Sequence, residues 1–178
     1  MTKIIFETEL SKIGSWTILK LPKNASAKLP SRGMTMVKGT INGFHFQSAL
    51  EPDGKGSHWF KVNKTLSESA KADVGDTVTL VIEPIKEWPE PDVPADLKKA
   101  FSNYKKAHNL WIDITPNARW DWIRWINATK NSETRKIRIE KTFSKLKAGK
   151  RTACCFNRSQ CTETDVSKNG VLLEPTQK

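Results

Sequence analysis

A cluster of prolines near the middle of the chain constrains its fold more than any other feature. The cluster consists of Pro84, Pro89, Pro91 and Pro94. Proline lacks a backbone N–H and fixes φ, so neither a helix nor the interior of a sheet continues through such a segment. The segment predicts a stiff linker or strap. One folded module is therefore expected at residues 1–88, and a second one from residue 94 onward.

Short alternations of apolar and polar residues fill the first module, with turn residues between them. This period of two is typical of strands that bury one face. The predicted strands are residues 3–10, 16–21, 34–41, 44–50, 58–62 and 77–83. Between the third and fourth strands, Asn42-Gly43 is a strong hairpin signal, because both residues tolerate positive φ. Six short strands at regular spacing predict a small β-barrel of about six strands rather than a parallel α/β sheet.

Helical patterns dominate residues 94–151. Apolar residues recur at helical spacing over Ala95–His108. Thr115 is suited to cap a second helix, with Pro116 at its first position, and that helix is expected to reach about residue 129. Ser132 is expected to cap a third helix that ends at Gly149. The fold class is thus α+β, a barrel followed by a three-helix module, with an irregular tail at residues 152–178.

Positive charge is concentrated in the helical module. Residues 1–93 carry 12 Lys and Arg against 11 Asp and Glu, whereas residues 94–151 carry 15 against 5, in a chain of net charge +11. One interpretation is an acidic partner for this module, which could be a nucleic acid, an anionic lipid or an acidic protein. The other, given equal weight, is a solvated helical surface that only keeps the protein soluble.

The N-terminus and the cysteines bear on location and redox state. The apolar run Ile4-Ile5-Phe6 is too short for a signal-peptide core, and no stretch approaches the length of a membrane span. We expect a cytoplasmic protein without an integral membrane segment; nothing in the sequence predicts an oligomeric state. Cys154, Cys155 and Cys161 are expected to be reduced thiols. Adjacent cysteines without a nearby histidine are poor zinc ligands, so no metal site and no cofactor are predicted.

Several segments resemble a known two-part bacterial protein. The first half carries Met34-Thr35-Met36-Val37-Lys38-Gly39-Thr40-Ile41-Asn42-Gly43, then Gly54-Lys55-Gly56-Ser57-His58 and Val74-Gly75-Asp76-Thr77-Val78. These resemble a bacterial barrel domain of unknown function. Residues 125–130 and 133–139 resemble the signature of the domain that often follows it, named bacteriocin-protection, YdeI- or OmpD-associated, and the tail at residues 154–159 resembles one that recurs in such two-part proteins. The resemblance implies a role in protection from bacteriocins or antimicrobial peptides, and it implies no catalytic mechanism.

The candidate anion-binding residues lie on the third predicted helix. Arg138, Lys141 and Lys145 follow each other at spacings of three and four, which places them on one face, and Arg135 precedes them by one turn. Such a face could lie along phosphates. On the second helix Trp120 points away from the apolar stripe, so it is the candidate for an exposed aromatic contact.

The candidate ligand residues of the barrel mouth are Lys55 and His58. Gly54-Lys55-Gly56-Ser57 could cradle an anion through its backbone N–H groups, although a hairpin loop with permissive glycines is the commoner explanation of such a segment. His58 could face the mouth as a base or a ligand. No nucleophile elbow, zinc-helix motif or nucleotide-binding glycine pattern occurs, so an enzyme is the least supported class and no catalytic residue is predicted.

The sequence therefore predicts a non-enzymatic binding or stress-protection protein of the bacteriocin-protection type. A protein of net charge +11 repels cationic peptides, so direct sequestration of a bacteriocin is disfavoured and an acidic cytosolic partner fits better. Two alternatives stay open. One is a nucleic-acid-binding protein that uses the basic helices, and the other is a small-ligand binder or enzyme at the barrel mouth.

Overall fold

The structure is a computed structural model that describes residues 2–151, 153 and 164–176. The chain forms two compact units, one made of residues 1–87 and 171–178 and the other of residues 88–170. The predicted α+β class is confirmed, with a closed antiparallel barrel in the first unit and a set of helices in the second. Among the described residues, no helix is both long and apolar enough to span a membrane.

Six strands close the barrel in the order β1-β2-β5-β4-β3-β6. The strands are β1 Ile4–Ile13, β2 Trp16–Lys20, β3 Thr35–Ile41, β4 Phe44–Pro52, β5 His58–Lys61 and β6 Thr77–Pro84. Two short helices, α1 Lys23–Ser26 and α2 Lys64–Ala70, connect neighbouring strands. All six pairings are antiparallel, and β1 pairs with β6, which leaves the barrel without an open edge.

The alternation seen in the sequence places every second strand residue in the barrel interior. Val37 and Ile41 of β3 are fully buried, as are Leu80 of β6 and Leu50 of β4. Burying a side chain of this size stabilises a fold by about 1.5–3 kcal/mol. The predicted hairpin joins β3 to β4, with positive φ at Asn42-Gly43.

The described residues of the second unit form four helices instead of the predicted three. They are α3 Ala95–Asn103, α4 Lys105–Asp113, α5 Pro116–Asn127 and α6 Ser132–Lys147. The segment predicted as one helix is interrupted at Tyr104, whose φ of −136° and ψ of 82° are not helical. The interruption redirects the chain so that Phe101 of α3 and Trp111 of α4 both enter one core, with ring centroids 5.2 Å apart.

The helix ends follow ordinary capping chemistry. Thr115 caps α5 as predicted, since its side chain accepts a hydrogen bond from the Ala118 N–H at 3.2 Å. For α6 the cap is Asn131 rather than Ser132, because the Asn131 side chain accepts from the Thr134 N–H at 3.0 Å. Gly149 follows the last turn of α6 with φ +86°, which suits a glycine at a helix C-terminus.

Described residues of the C-terminal segment form regular structure. Within the predicted irregular tail, Ser167–Lys168 (β7) and Val171–Leu172 (β8) form a two-stranded sheet. The Leu172 N–H donates to the Asp53 carbonyl at 2.9 Å, and the Thr176 N–H donates to the Lys12 carbonyl at 2.7 Å. The end of the chain is thus hydrogen-bonded to the barrel. The three cysteines lie outside the described residues.

Candidate functional site

His58 lies at the start of β5 and is completely buried. Its Nε2 is 2.8 Å from the Gly33 carbonyl oxygen, and its Nδ1 is 2.7 Å from Ser26 Oγ. A carbonyl only accepts, so Nε2 carries the proton and donates, and Nδ1 accepts from the Ser26 hydroxyl. Burial lowers the pKa of His58, and the neutral ring fits these two partners.

Arg32 completes the cluster around His58. Its guanidinium donates to Ser26 Oγ at 3.2 Å and to the Leu29 carbonyl at 3.4 Å, and it also bonds the Ser26 carbonyl. The positive charge of Arg32 further disfavours protonation of His58. Because both ring nitrogens are engaged, His58 ties the segment after β2 to the barrel and presents no nitrogen to a ligand, contrary to the predicted role.

The N–H groups of the glycine loop before His58 bind the side chain of Asp53, which comes from the same hairpin. Asp53 Oδ1 accepts from the N–H of Lys55 at 2.7 Å and from the N–H of Ser57 at 2.9 Å. These are the N–H groups that would cradle an anion, so the loop is a hairpin closed by a buried carboxylate. The Lys55 ammonium pairs with Glu174 in the C-terminal segment. Lys55 and His58 therefore do not form a ligand site at the barrel mouth.

The predicted basic face on α6 is assembled around an aromatic ring of α5. Arg138 donates to the Trp125 carbonyl at 2.6 Å, and its guanidinium carbon lies 5.2 Å from the centre of the Trp125 ring. The Lys145 ammonium lies 5.7 Å from the same ring centre, within cation–π range. Lys141 is exposed on this side of α6. Burial lowers the pKa of Arg138, in keeping with a partly structural role.

Arg135 has a different environment from the other three cations. Its guanidinium forms two hydrogen bonds with the Asp96 carboxylate, at 2.9 and 3.1 Å. It also donates to the Ile126 carbonyl at 3.2 Å and to Asn127 Oδ1 at 3.1 Å. The Arg135 bonds hold the pKa of Asp96 below its usual value. Arg135 thus joins the start of α3 to the end of α5, and its charge is neutralised within the module.

Trp120 is half-buried rather than exposed. Its indole N–H donates to the Pro89 carbonyl at 2.8 Å, and its ring meets Trp88 edge to face at 6.0 Å. Trp120 therefore packs on the strap, which we define as residues 88–94. The helical wheel of α5 shows that Trp120 points away from the apolar stripe of the helix. It cannot show that the strap packs against that side, so the sequence did not predict this contact.

Comparison with known families assigns both halves of the chain. Residues 5–82 match the family described as Domain of unknown function (DUF1905). Residues 90–149 match the family described as Bacteriocin-protection, YdeI or OmpD-Associated (OmdA). The two matches follow one another in the order DUF1905 then OmdA, and we call the matched regions the DUF1905 barrel and the OmdA domain. The match gives the barrel and the helical module the order that the sequence resemblance implied. No curated protein matches the chain.

Arg119 is a buried residue of the OmdA domain whose structural role the sequence did not indicate. It is 7% exposed and donates to the carbonyls of Trp111 and Ile112 at 3.2 and 3.1 Å, and also to that of Ile114. Its Nε donates to Glu90 at 3.0 Å. Arg119 thereby satisfies carbonyls at the end of α4 and fixes the strap. No local pattern links it to an acidic partner 29 residues earlier.

The DUF1905 barrel carries an open cleft that the sequence did not indicate. It has a volume of about 730 Å³. Its lining residues include Lys3, Lys38, His45, Gln47 and Glu83 around Phe46 and Gly39. Lys38 and Glu83 lie 3.6 Å apart across β3 and β6. Neither Lys55 nor His58 lines this cleft. Gly39 inside β3 marks the close approach of another backbone and not open space, so no sequence signal indicated the cleft.

Proposed function

We propose that this protein is a non-enzymatic binding protein of the bacteriocin-protection type, whose OmdA domain docks an acidic cytoplasmic partner. The docking surface is the α6 basic face, defined as Arg138, Lys141 and Lys145. The observation that carries the proposal is the placement of Arg138 and Lys145 against Trp125, with Lys141 exposed on the same face of α6. The family description supports a protective role, and the charge balance supports an acidic partner rather than the cationic peptide itself.

The two lysines of the basic face are the charges available to a partner. Lys141 and Lys145 enter no ion pair among the described residues. Arg138, by contrast, is bonded to the backbone at Trp125. A partner would therefore meet two ammonium groups that enter no ion pair among the described residues, with the Trp125 ring beside Lys145. Ammonium groups bind oxyanions as point charges with little directional demand, so the interaction is expected to tolerate different acidic sequences.

The hydrogen bonds of His58, which was the candidate base, also favour a binding role over catalysis. A general base needs a ring nitrogen within reach of a substrate. Both nitrogens of His58 are bonded inside the barrel unit. The carboxylate Asp53 nearby is likewise engaged with its own loop. These residues stabilise the barrel and leave the OmdA domain as the better supported site of interaction.

A titration with three kinds of polyanion tests the proposal. The full chain is titrated by fluorescence anisotropy with a labelled single-stranded DNA, a labelled poly-glutamate peptide and labelled phosphatidylserine vesicles. Binding of at least one probe at about 50 mM salt is expected. For the two lysine contacts with single-stranded DNA, affinity is expected to fall about sevenfold between 50 and 200 mM salt. The probe that binds identifies the chemical class of the partner.

The matched variants use lysines of the same helix. Lys141→Glu/Lys145→Glu is expected to remove most of the binding and to reduce the salt slope for single-stranded DNA by about 1.4. Lys136→Glu/Lys147→Glu changes the net charge equally on the other side of α6, and a smaller loss is expected. Absence of binding to all three probes at low salt, or equal losses in both variants, would refute the basic face as a docking surface.

A further inference from the structure

A second site lies on the OmdA domain, where α3 and α4 meet. A cavity of about 380 Å³ opens there, within the range of small-ligand pockets. Its lining consists of Val93, Lys98, Phe101, Ser102, Lys105, His108 and Trp111. The cavity exists because the chain breaks at Tyr104, which turns the first residues of α4 toward the side chains of α3.

The rim of the cavity is polar and positively charged. Lys98 and Ser102 lie one turn apart on α3, and Lys105 and His108 lie one turn apart on α4. All four residues are exposed. Among the described residues, no carboxylate lines this cavity and neither lysine enters an ion pair. The Ser102 hydroxyl donates to the Lys99 carbonyl at 2.6 Å. The two ammonium groups without a counter-charge, beside an imidazole, make an opening complementary to an oxyanion.

The floor of the cavity is aromatic. Phe101 is buried, and its ring centroid lies 5.2 Å from that of Trp111 and 5.3 Å from that of His108. On its other side Phe101 packs against Phe143 of α6 at 5.1 Å. These contacts hold the rings in place without a ligand. A preformed aromatic floor suits the flat ring of a ligand, since stacking on aromatic side chains is tolerant of ring identity.

From this combination we propose that the OmdA domain binds a small organic phosphate with a flat ring in the α3–α4 cavity. The phosphate lies between Lys98 and Lys105, and the ring lies toward Phe101 and Trp111. The site is separate from the α6 basic face, because the two share no residue. A nucleoside monophosphate has the required chemistry, with a dianionic phosphate at one end and an aromatic base at the other.

The probe is adenosine monophosphate, with adenosine and inorganic phosphate as its two fragments. Calorimetric titration of the full chain measures affinity, and amide chemical shifts in ¹H–¹⁵N spectra locate the site. Adenosine monophosphate is expected to bind more tightly than either fragment and to shift the amides of residues 98–111. Lys98→Ala/Lys105→Ala is expected to weaken binding by about tenfold or more, since each charge-assisted contact is typically worth this much.

The matched control is Lys99→Ala/Lys106→Ala, which removes the neighbouring lysine of each helix. Neither of these residues lines the cavity, so affinity is expected to stay within about twofold of the unmodified protein. Lys141→Glu/Lys145→Glu is expected to leave it equally unchanged, which separates this site from the basic face. Three results would overturn the proposal: no binding at about 1 mM, equal binding of phosphate and adenosine monophosphate, or equal losses in the two lysine pairs.

Discussion

Replacing Gly39 by alanine tests how tightly the barrel is closed. Gly39 lies in β3, opposite Phe46 of β4 and Ile82 of β6. A Cβ built on it would lie 1.9 Å from the Val81 carbonyl oxygen and 2.8 Å from the Ile82 Cα. Both are backbone atoms, so no side-chain rotation relieves the overlap.

The magnitude follows from these distances. Real Cβ contacts essentially never fall under 3.0 Å, so β3 and β6 must separate by about 1 Å, the difference between 3.0 and 1.9 Å. A shift of this size stretches ladder hydrogen bonds on both sides of residue 39. Overpacking typically costs about 1–3 kcal/mol, and each weakened hydrogen bond costs about 1 kcal/mol. We therefore expect Gly39→Ala to lower the free energy of unfolding by about 3 kcal/mol or more.

The assay is urea unfolding of the full chain followed by far-UV circular dichroism, with Gly33→Ala as the matched control. Gly33 does not have positive φ, and a Cβ there would meet only Ser31 Oγ, at 3.5 Å. Its replacement is expected to change the unfolding free energy by about 1 kcal/mol or less. If Gly39→Ala unfolds at the same urea concentration as Gly33→Ala, the inference that the backbones of β3 and β6 leave no room for a Cβ at residue 39 is wrong.

Two further predictions concern buried polar groups. Burial lowers the pKa of His58 below its ordinary value of 6.5, so the stability contributed by the neutral ring is complete above pH 6.5. It is lost by up to about 1.4 kcal/mol per pH unit as the pH falls toward the folded pKa. The unfolding free energy of His58→Asn, measured by urea titration across this pH range, is expected to lack this pH-dependent loss. If the variant keeps the pH profile of the unmodified protein, the prediction is wrong. Arg119→Met leaves the buried carbonyls of Trp111 and Ile114 without their donor, so we expect a loss of about 3 kcal/mol. Arg151→Met, whose side chain is 59% exposed beside Asp113, is expected to lose about 1 kcal/mol or less in the same assay; equal losses would refute the role of Arg119.

Local sequence signals were sufficient to predict the strands of the barrel but not their order. Alternation and turn residues predicted six strands, and Asn42-Gly43 fixed one hairpin. The pairings of β1 with β6 and of β2 with β5 join residues far apart in the chain. Such pairings depend on closing the barrel as a whole, and no local pattern encodes them.

The break between α3 and α4 shows a similar limit in the helical module. Leu97, Phe101 and Tyr104 continue one helical period, so the sequence predicted a single helix through His108. In the structure, Phe101 packs against both Trp111 and Phe143. A straight helix could not bring Phe101 and Trp111 together around this core, so tertiary packing overrides the local period. The α3–α4 cavity is a consequence of that break and was therefore also absent from the sequence prediction.

Arginines and lysines of the OmdA domain have different roles, and the net charge does not show this difference. The arginines that bond backbone carbonyls or carboxylates within the domain are Arg119, Arg135, Arg138 and Arg151. Guanidinium groups suit this task because a planar fork of donors satisfies several acceptors at once. The lysines of the two proposed sites are outside this network. Substituting an arginine therefore perturbs the fold together with any binding, whereas substituting Lys98, Lys105 or Lys141 changes the available charge alone. Substituting Lys145 also removes its cation–π contact with Trp125. Only the lysine variants can separate a binding surface from a structural one.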